Sequence, residues 1–134
     1  MEADLKAPTA VASTPAGHIN EPIDRAYLAR FTLGNMALER EILELFAGQL
    51  QIYVEQLRTA AGSKEWKLAA HTIKGSALAV GARHLAELAQ IAERLDGDAH
   101  SLNSERVRRE AAEAVAAASD HACRYIARLF TGAA

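Results

Sequence analysis

His71, Lys74 and Gly75 stand together in the segment "AHTIKGSALAVGA" (70–82). These are residues that can do chemistry. An exposed imidazole titrates near pH 6.5 and is largely neutral at cytosolic pH. Its free nitrogen can attack an acyl or phosphoryl centre. A lysine one turn away suits an anion at that nitrogen. The glycine is the odd member. In a helix interior it costs about 1 kcal/mol relative to alanine, so its presence asks for a reason.

The segment reads as helical. Trp66, Ala69, Ala70, Ile73, Ser76, Ala77 and Val80 recur at three- and four-residue steps and mark a buried stripe. At about 100° per residue, His71 lies about 160° from Ile73, near the middle of the opposite face. Lys64, Lys67, Leu68, Lys74, Gly75 and Leu78 all fall within about 60° of His71. One exposed face therefore carries a histidine ringed by three lysines, a glycine and two leucines. A lone surface histidine is usually just solvated, and lysines on one face usually serve solubility. Gly75 is not explained that way. Facing outward, it leaves a gap one turn from the imidazole through which a bulky group or a partner can approach. Leu68 and Leu78 are exposed for no core reason and suggest a docking surface.

Elements are needed to hold this face in place. The chain has 134 residues, half of them hydrophobic, with few aromatics. That suits one helical domain with a sizeable core. Residues 1–20 are small and polar and contain Pro, which predicts a disordered leader. The domain then spans 21–131. A short helix is expected over "DRAYLARF" (24–31), with Asp24 as its cap. A second helix is expected over 35–60, with Leu43, Phe46, Leu50, Tyr53, Val54 and Leu57 inward and Leu38, Ile42, Leu45 and Ile52 widening that stripe. Ser63 is expected to cap a third helix over 64–80, with Gly81 ending it. A fourth follows over 82–95, with Leu85, Leu88, Ala89, Ala92 and Leu95 inward. Residues 96–104 read as a loop. The last helix, 105–130, would bury Val107, Ala111, Ala114, Val115, Ala118, Ala122, Tyr125, Ile126 and Leu129. This predicts an all-α fold: an antiparallel four-helix bundle with a short extra N-terminal helix as a lid on one end.

If Gly81 is the turn, residues near 91–93 on the fourth helix lie beside His71. Gln90 or Glu93 could accept a hydrogen bond from Nδ1–H there and leave Nε2 as the nucleophile.

Residues 70–96, "AHTIKGSALAVGARHLAELAQIAERLD", resemble the signature of the histidine phosphotransfer (HPt) domain family. That signature is H-x-x-K-G-[SA]-[SA], a Gly ten residues after the His, a Leu a few positions on, and a polar residue twenty-two after the His. Here these are His71, Lys74, Gly75, Ser76, Ala77, Gly81, Leu85 and Glu93. The segment "LEREILELFAGQL" (38–50) is similar to the helix that precedes the motif helix, and the resemblance extends over about 22–130. It implies a carrier that takes a phosphoryl group from a receiver-domain aspartate and passes it to another in a two-component phosphorelay. His71 is then the phosphorylated residue, at Nε2. Lys74 stabilises the phosphoryl group, Gly75 clears space for it, and Glu93 orients the ring where Gln is often found. Lys67 occupies a position often basic in the family. The implied partners are receiver domains of hybrid histidine kinases and of response regulators. They dock on Lys67, Leu68 and Leu78 and on the first two helices at Tyr27 and Met36. No cofactor is expected in this chain, and the Mg²⁺ belongs to the receiver. The sequence contains no P-loop or Gly-rich nucleotide loop, which fits a carrier and not an ATP-using enzyme.

Rival readings are a helical docking or adaptor bundle without phosphotransfer, a metal-binding bundle, and a domain of a larger kinase. The five histidines show no three- or four-residue spacing and no Glu-x-x-His pair, which disfavours a metal site. Met1 and the short leader favour a free-standing protein. A net charge of −2 gives no push toward nucleic acid or anionic membranes. "RVRRE" (106–110) reads as a solvated face, and Arg83 and His84 as solvent-facing. The single Cys123 reads as a packing residue and, with no apolar run of membrane-spanning length, suits a cytoplasmic protein. A monomer is expected.

Overall fold

The computed structural model describes residues 21–95 and 102–131. The expected leader, residues 1–20, lies outside the described residues. Five helices are present: α1 Arg25–Thr32, α2 Met36–Arg58, α3 Ser63–Val80, α4 Arg83–Arg94 and α5 Leu102–Thr131, and no strand occurs among the described residues. The fold is all-α, as expected. α2 packs on α3 and α5, and α4 packs on the same two, which closes a four-helix ring. Contacts along the α2–α5 seam run 58 to 113, 47 to 123 and 40 to 130, so these two helices are antiparallel.

Local chemistry sets the ends. Asp24 caps α1, its Oδ1 accepting from Tyr27 N at 3.0 Å. Leu33 (φ 54°) and Gly34 (φ 79°) turn left-handed and stop it. Asn35 then caps α2 by accepting from Leu38 N at 3.1 Å. Ser63 is not the cap of α3. It is the first helical residue, and Gly62 holds the cap position with no side-chain bond. The short β-region excursion falls one residue earlier than the polar side chain suggests. α5 begins at Leu102, so the expected loop is shorter at its C-terminal end; residues 96–101 lie outside the described residues.

The core is built from Leu43, Phe46, Leu50, Val54, Leu57, Trp66, Ile73, Val80, Leu85, Val115 and Ile126, with alanines between them. Leu38, Leu45 and Ile52 do not widen the α2 stripe but are exposed. They sit about 140° from the centre of the buried arc, and a helix with two long neighbours buries less than that. On α5 the fully buried line is Ala112, Val115, Ser119, Ala122 and Ile126. The expected Val107, Ala111, Ala114, Ala118, Tyr125 and Leu129 are half-buried beside it. Alanines ring this helix on most sides, so periodicity alone does not fix its rotation. Leu88, Leu95, Tyr53 and Ser76 are likewise half-buried.

α1 is a lid pinned to the α3–α4 turn. Asp24 N donates to Gly81 O at 3.0 Å, and the Asp24 carboxylate pairs with Arg83. Arg83 also lies over the Tyr27 ring at 5.4 Å, so it is a tether and more than a solvated residue. Gly81 has φ 80°, and a Cβ there would meet Asp24 O at 3.0 Å. Gly81→Ala is expected to cost about 2 kcal/mol, from left-handed strain and this contact. Thermal unfolding measures it, and an unchanged melting curve would mean that the turn relaxes freely.

Candidate functional site

α3 runs unbroken through the motif. Thr72 bonds back to Leu68 O at 2.8 Å, which keeps that side chain occupied within the helix. Trp66 anchors the helix from below, its Nε1 donating to Ala92 O of α4 at 2.7 Å. Ile73 and Ala70 are fully buried, so the His71 side of the helix is forced outward. His71 is 64% exposed in its side chain. Leu68 is 64% exposed and Leu78 50%. Lys64, Lys67 and Gly75 are exposed too, while Lys74 is half-buried. The space where a Gly75 side chain would begin is empty within 4 Å.

Glu93 of α4 joins the group. Its Oε2 lies 2.9 Å from His71 Nδ1, and its Oε1 lies 2.8 Å from Lys74 Nζ. One carboxylate thus bridges the imidazole and the ammonium. The hydrogen bond from Lys74, opposed by partial desolvation and reinforced by the bond to His71, holds the Glu93 carboxyl below the usual carboxylate range. Glu93 is therefore ionised at neutral pH and can only accept. His71 Nδ1 must be the donor, which leaves Nε2 as the ring nitrogen outside that bond on a largely exposed side chain.

His71 Nδ1 donates to Glu93 and not to Gln90. Gln90 instead lines a small notch of about 170 Å³ with Lys74, Leu78, Arg83, Ala86 and Glu87. Lys74, expected to stabilise a phosphoryl group, is also paired with Glu93, a contact the sequence reading does not include. The signal was available, since a carboxylate twenty-two residues after the histidine lies within reach of both. Among the residues expected to dock a receiver, Met36 is exposed, whereas Tyr27 is half-buried against Phe31 and Arg83. Leu45 and Ile52 add exposed apolar surface on α2.

Other expected features stay structural. Arg108 of "RVRRE" covers the Trp66 ring at 4.8 Å. Cys123 Sγ lies 3.7 Å from Ala47 O, and burial pushes its thiol up. A groove of about 590 Å³ between α2 and α5 is not lined by His71, Lys74 or Glu93. No cluster of three metal-ligating side chains occurs among the described residues.

The outer face of the helical bundle thus presents a largely exposed imidazole with one nitrogen bonded to a carboxylate. The chain belongs to the Hpt domain family, matching it over residues 41–123. Comparison with curated proteins and with solved structures gives no match. Membership carries phosphotransfer-related two-component signalling, and Hpt domains work with receiver domains as carriers and not as classical enzymes. No helix among the described residues is long and apolar enough to cross a membrane.

Proposed function

We propose that the protein relays a phosphoryl group between receiver-domain aspartates through phospho-His71. The observation that carries this reading is the His71–Glu93 bond, which commits Nδ1 and leaves Nε2 as the nitrogen available on a largely exposed side chain, one turn from the open space at Gly75. In the loading step the Nε2 lone pair attacks the phosphorus of an aspartyl phosphate. The Nε2–P bond forms, the P–O bond breaks, and the aspartate leaves as a carboxylate. In the unloading step a second aspartate attacks, and the electron pair of the N–P bond returns to Nε2. Lys74 has three donors, so it can keep Glu93 and still donate to a phosphoryl oxygen. Lys67, one turn before His71, adds a second cation.

In this reading the Mg²⁺ is held by the receiver, and this chain supplies no cofactor. The protein acts as a monomer in the cytoplasm, and the donors and acceptors are receivers of hybrid kinases and response regulators. The receiver covers Lys67, Leu68 and Leu78, with Met36 and Tyr27 at the edge. Leu68→Ala and Leu78→Ala are each expected to weaken receiver binding about fivefold, the effect of losing roughly 1 kcal/mol at an interface. Unchanged affinity in both would move the surface elsewhere.

The test of the function is a transfer assay with phosphorylated receiver domains and Mg²⁺. The expected result is acid-labile label on this chain that moves on to a second receiver. Receiver binding without label would favour the docking-bundle alternative.

A further inference from the structure

The bridge of His71, Glu93 and Lys74 has a consequence for the loaded state, and this inference rests on His71 being the phosphorylated residue. We infer that Glu93 is a positioning residue that keeps the proton on Nδ1 after phosphorylation, so that the phosphoryl group is carried on an imidazolium and not on a neutral ring.

The argument is one of charge and leaving groups. Attack by Nε2 of a ring already protonated at Nδ1 yields a cationic phospho-imidazole. Glu93 Oε2, 2.9 Å away, faces that cation directly. An anion at this distance favours the protonated ring, and an amide in its place would offer the same hydrogen bond without the charge. Lys74, 2.8 Å from Oε1, fixes the carboxylate in this orientation. The other charges on the face are Lys64, Lys67 and Lys74 of α3, with Arg94 exposed next to Glu93 on α4. Glu87 of α4 lines the notch with Lys74 and Arg83 and is the second carboxylate on this flank, in no bond with the ring; the rest are cations, which oppose ring protonation. By the register of the α2–α3 hairpin, the α2 flank at this level carries the uncharged Gln49, Ile52 and Tyr53. Glu93 is thus the group that holds the proton against its surroundings.

The proton decides how the N–P bond breaks. With Nδ1–H in place, an incoming carboxylate oxygen forms its bond to phosphorus and Nε2 leaves as a neutral imidazole. Without it, Nε2 must leave as an imidazolate, a far poorer leaving group, or wait for a proton. Glu93 therefore sets the readiness of the carrier to unload and makes that readiness insensitive to pH through the neutral range.

Phosphoramidate serves as a small phosphodonor that needs no receiver. The protein, with ¹⁵N-labelled histidine, is phosphorylated, and the ring nitrogens are followed by NMR as pH rises from 6 to 9. The wild-type phospho-ring is expected to keep Nδ1 protonated past pH 8. In Glu93→Gln the midpoint should fall by about one unit or more. Glu93→Asp, which keeps the charge on a shorter arm, should lie between them, and circular dichroism checks that each variant is folded. Equal midpoints in wild type and Glu93→Gln overturn the inference while leaving the carrier reading intact. Absence of label on wild-type His71 overturns the reading beneath it.

Discussion

His71→Gln is expected to abolish labelling of the protein by a phosphorylated receiver. Glutamine is similar in length and polar, and it has no nitrogen with an available lone pair of imidazole basicity. The side chain at 71 is largely exposed and packs no core, so the fold should not notice the change. Helicity and melting temperature should match wild type. Glu93 would lose one of its two partners and keep Lys74. The measurement is incorporation of ³²P from a labelled receiver, with circular dichroism beside it. Residual label at another residue would show that the phosphoryl acceptor lies elsewhere on the surface.

Gly75→Gln carries the second large effect, and its two parts have opposite sign. Glycine is a poor helix former, and glutamine a good one. The added Cβ meets nothing within 4 Å, so there is no clash to offset the gain. The variant should be more stable by roughly 0.5–1 kcal/mol. Yet the new side chain stands one turn from His71, on the same face, in the path of an incoming phosphoryl group and its receiver. Transfer should slow by roughly tenfold or more, because small misplacements of reacting groups are costly. Denaturant unfolding and single-turnover transfer measure the two effects on one sample. Transfer at the wild-type rate would mean that the gap at Gly75 serves no approach. A fall in stability would mean that the helix needs glycine for a reason other than clearance.

Much of this site is legible in the residues themselves. A helix has a fixed pitch, so Ile73 in the core places His71, Lys67, Leu68 and Leu78 outside. The long helices follow from the same periodicity, and Asp24 and Gly81 mark ends because their chemistry suits those ends. Rotation is less legible where apolar residues ring the helix. α5 is alanine on several sides, and only packing against α2 and α4 selects Ala112, Val115 and Ser119 as its buried line. On α2, hydrophobicity overstates burial, since Leu38, Leu45 and Ile52 have no helix to cover them. Glu39, which no pattern singles out in the sequence, is 3% exposed, accepting from Thr32 at 3.3 Å and facing Arg25 at 3.5 Å where α1 folds over it.

The sequence by itself determines that His71, Lys67 and Gly75 share one outward face, because they lie within about two turns of one helix and need only the helical pitch. What completes the site comes from the next helix. Gln90 and Glu93 both lie within reach by residue counting, and the crossing of α4 over α3 decides between them. That crossing is set by packing: Trp66 bonded to Ala92 O, and the buried alanines of α4 sharing one core with Ile73. It also decides that Lys74 meets Glu93 first. Distances of 2.8 and 2.9 Å between side chains nineteen and twenty-two residues apart are properties of two helices held in register, and only the folded bundle supplies that register.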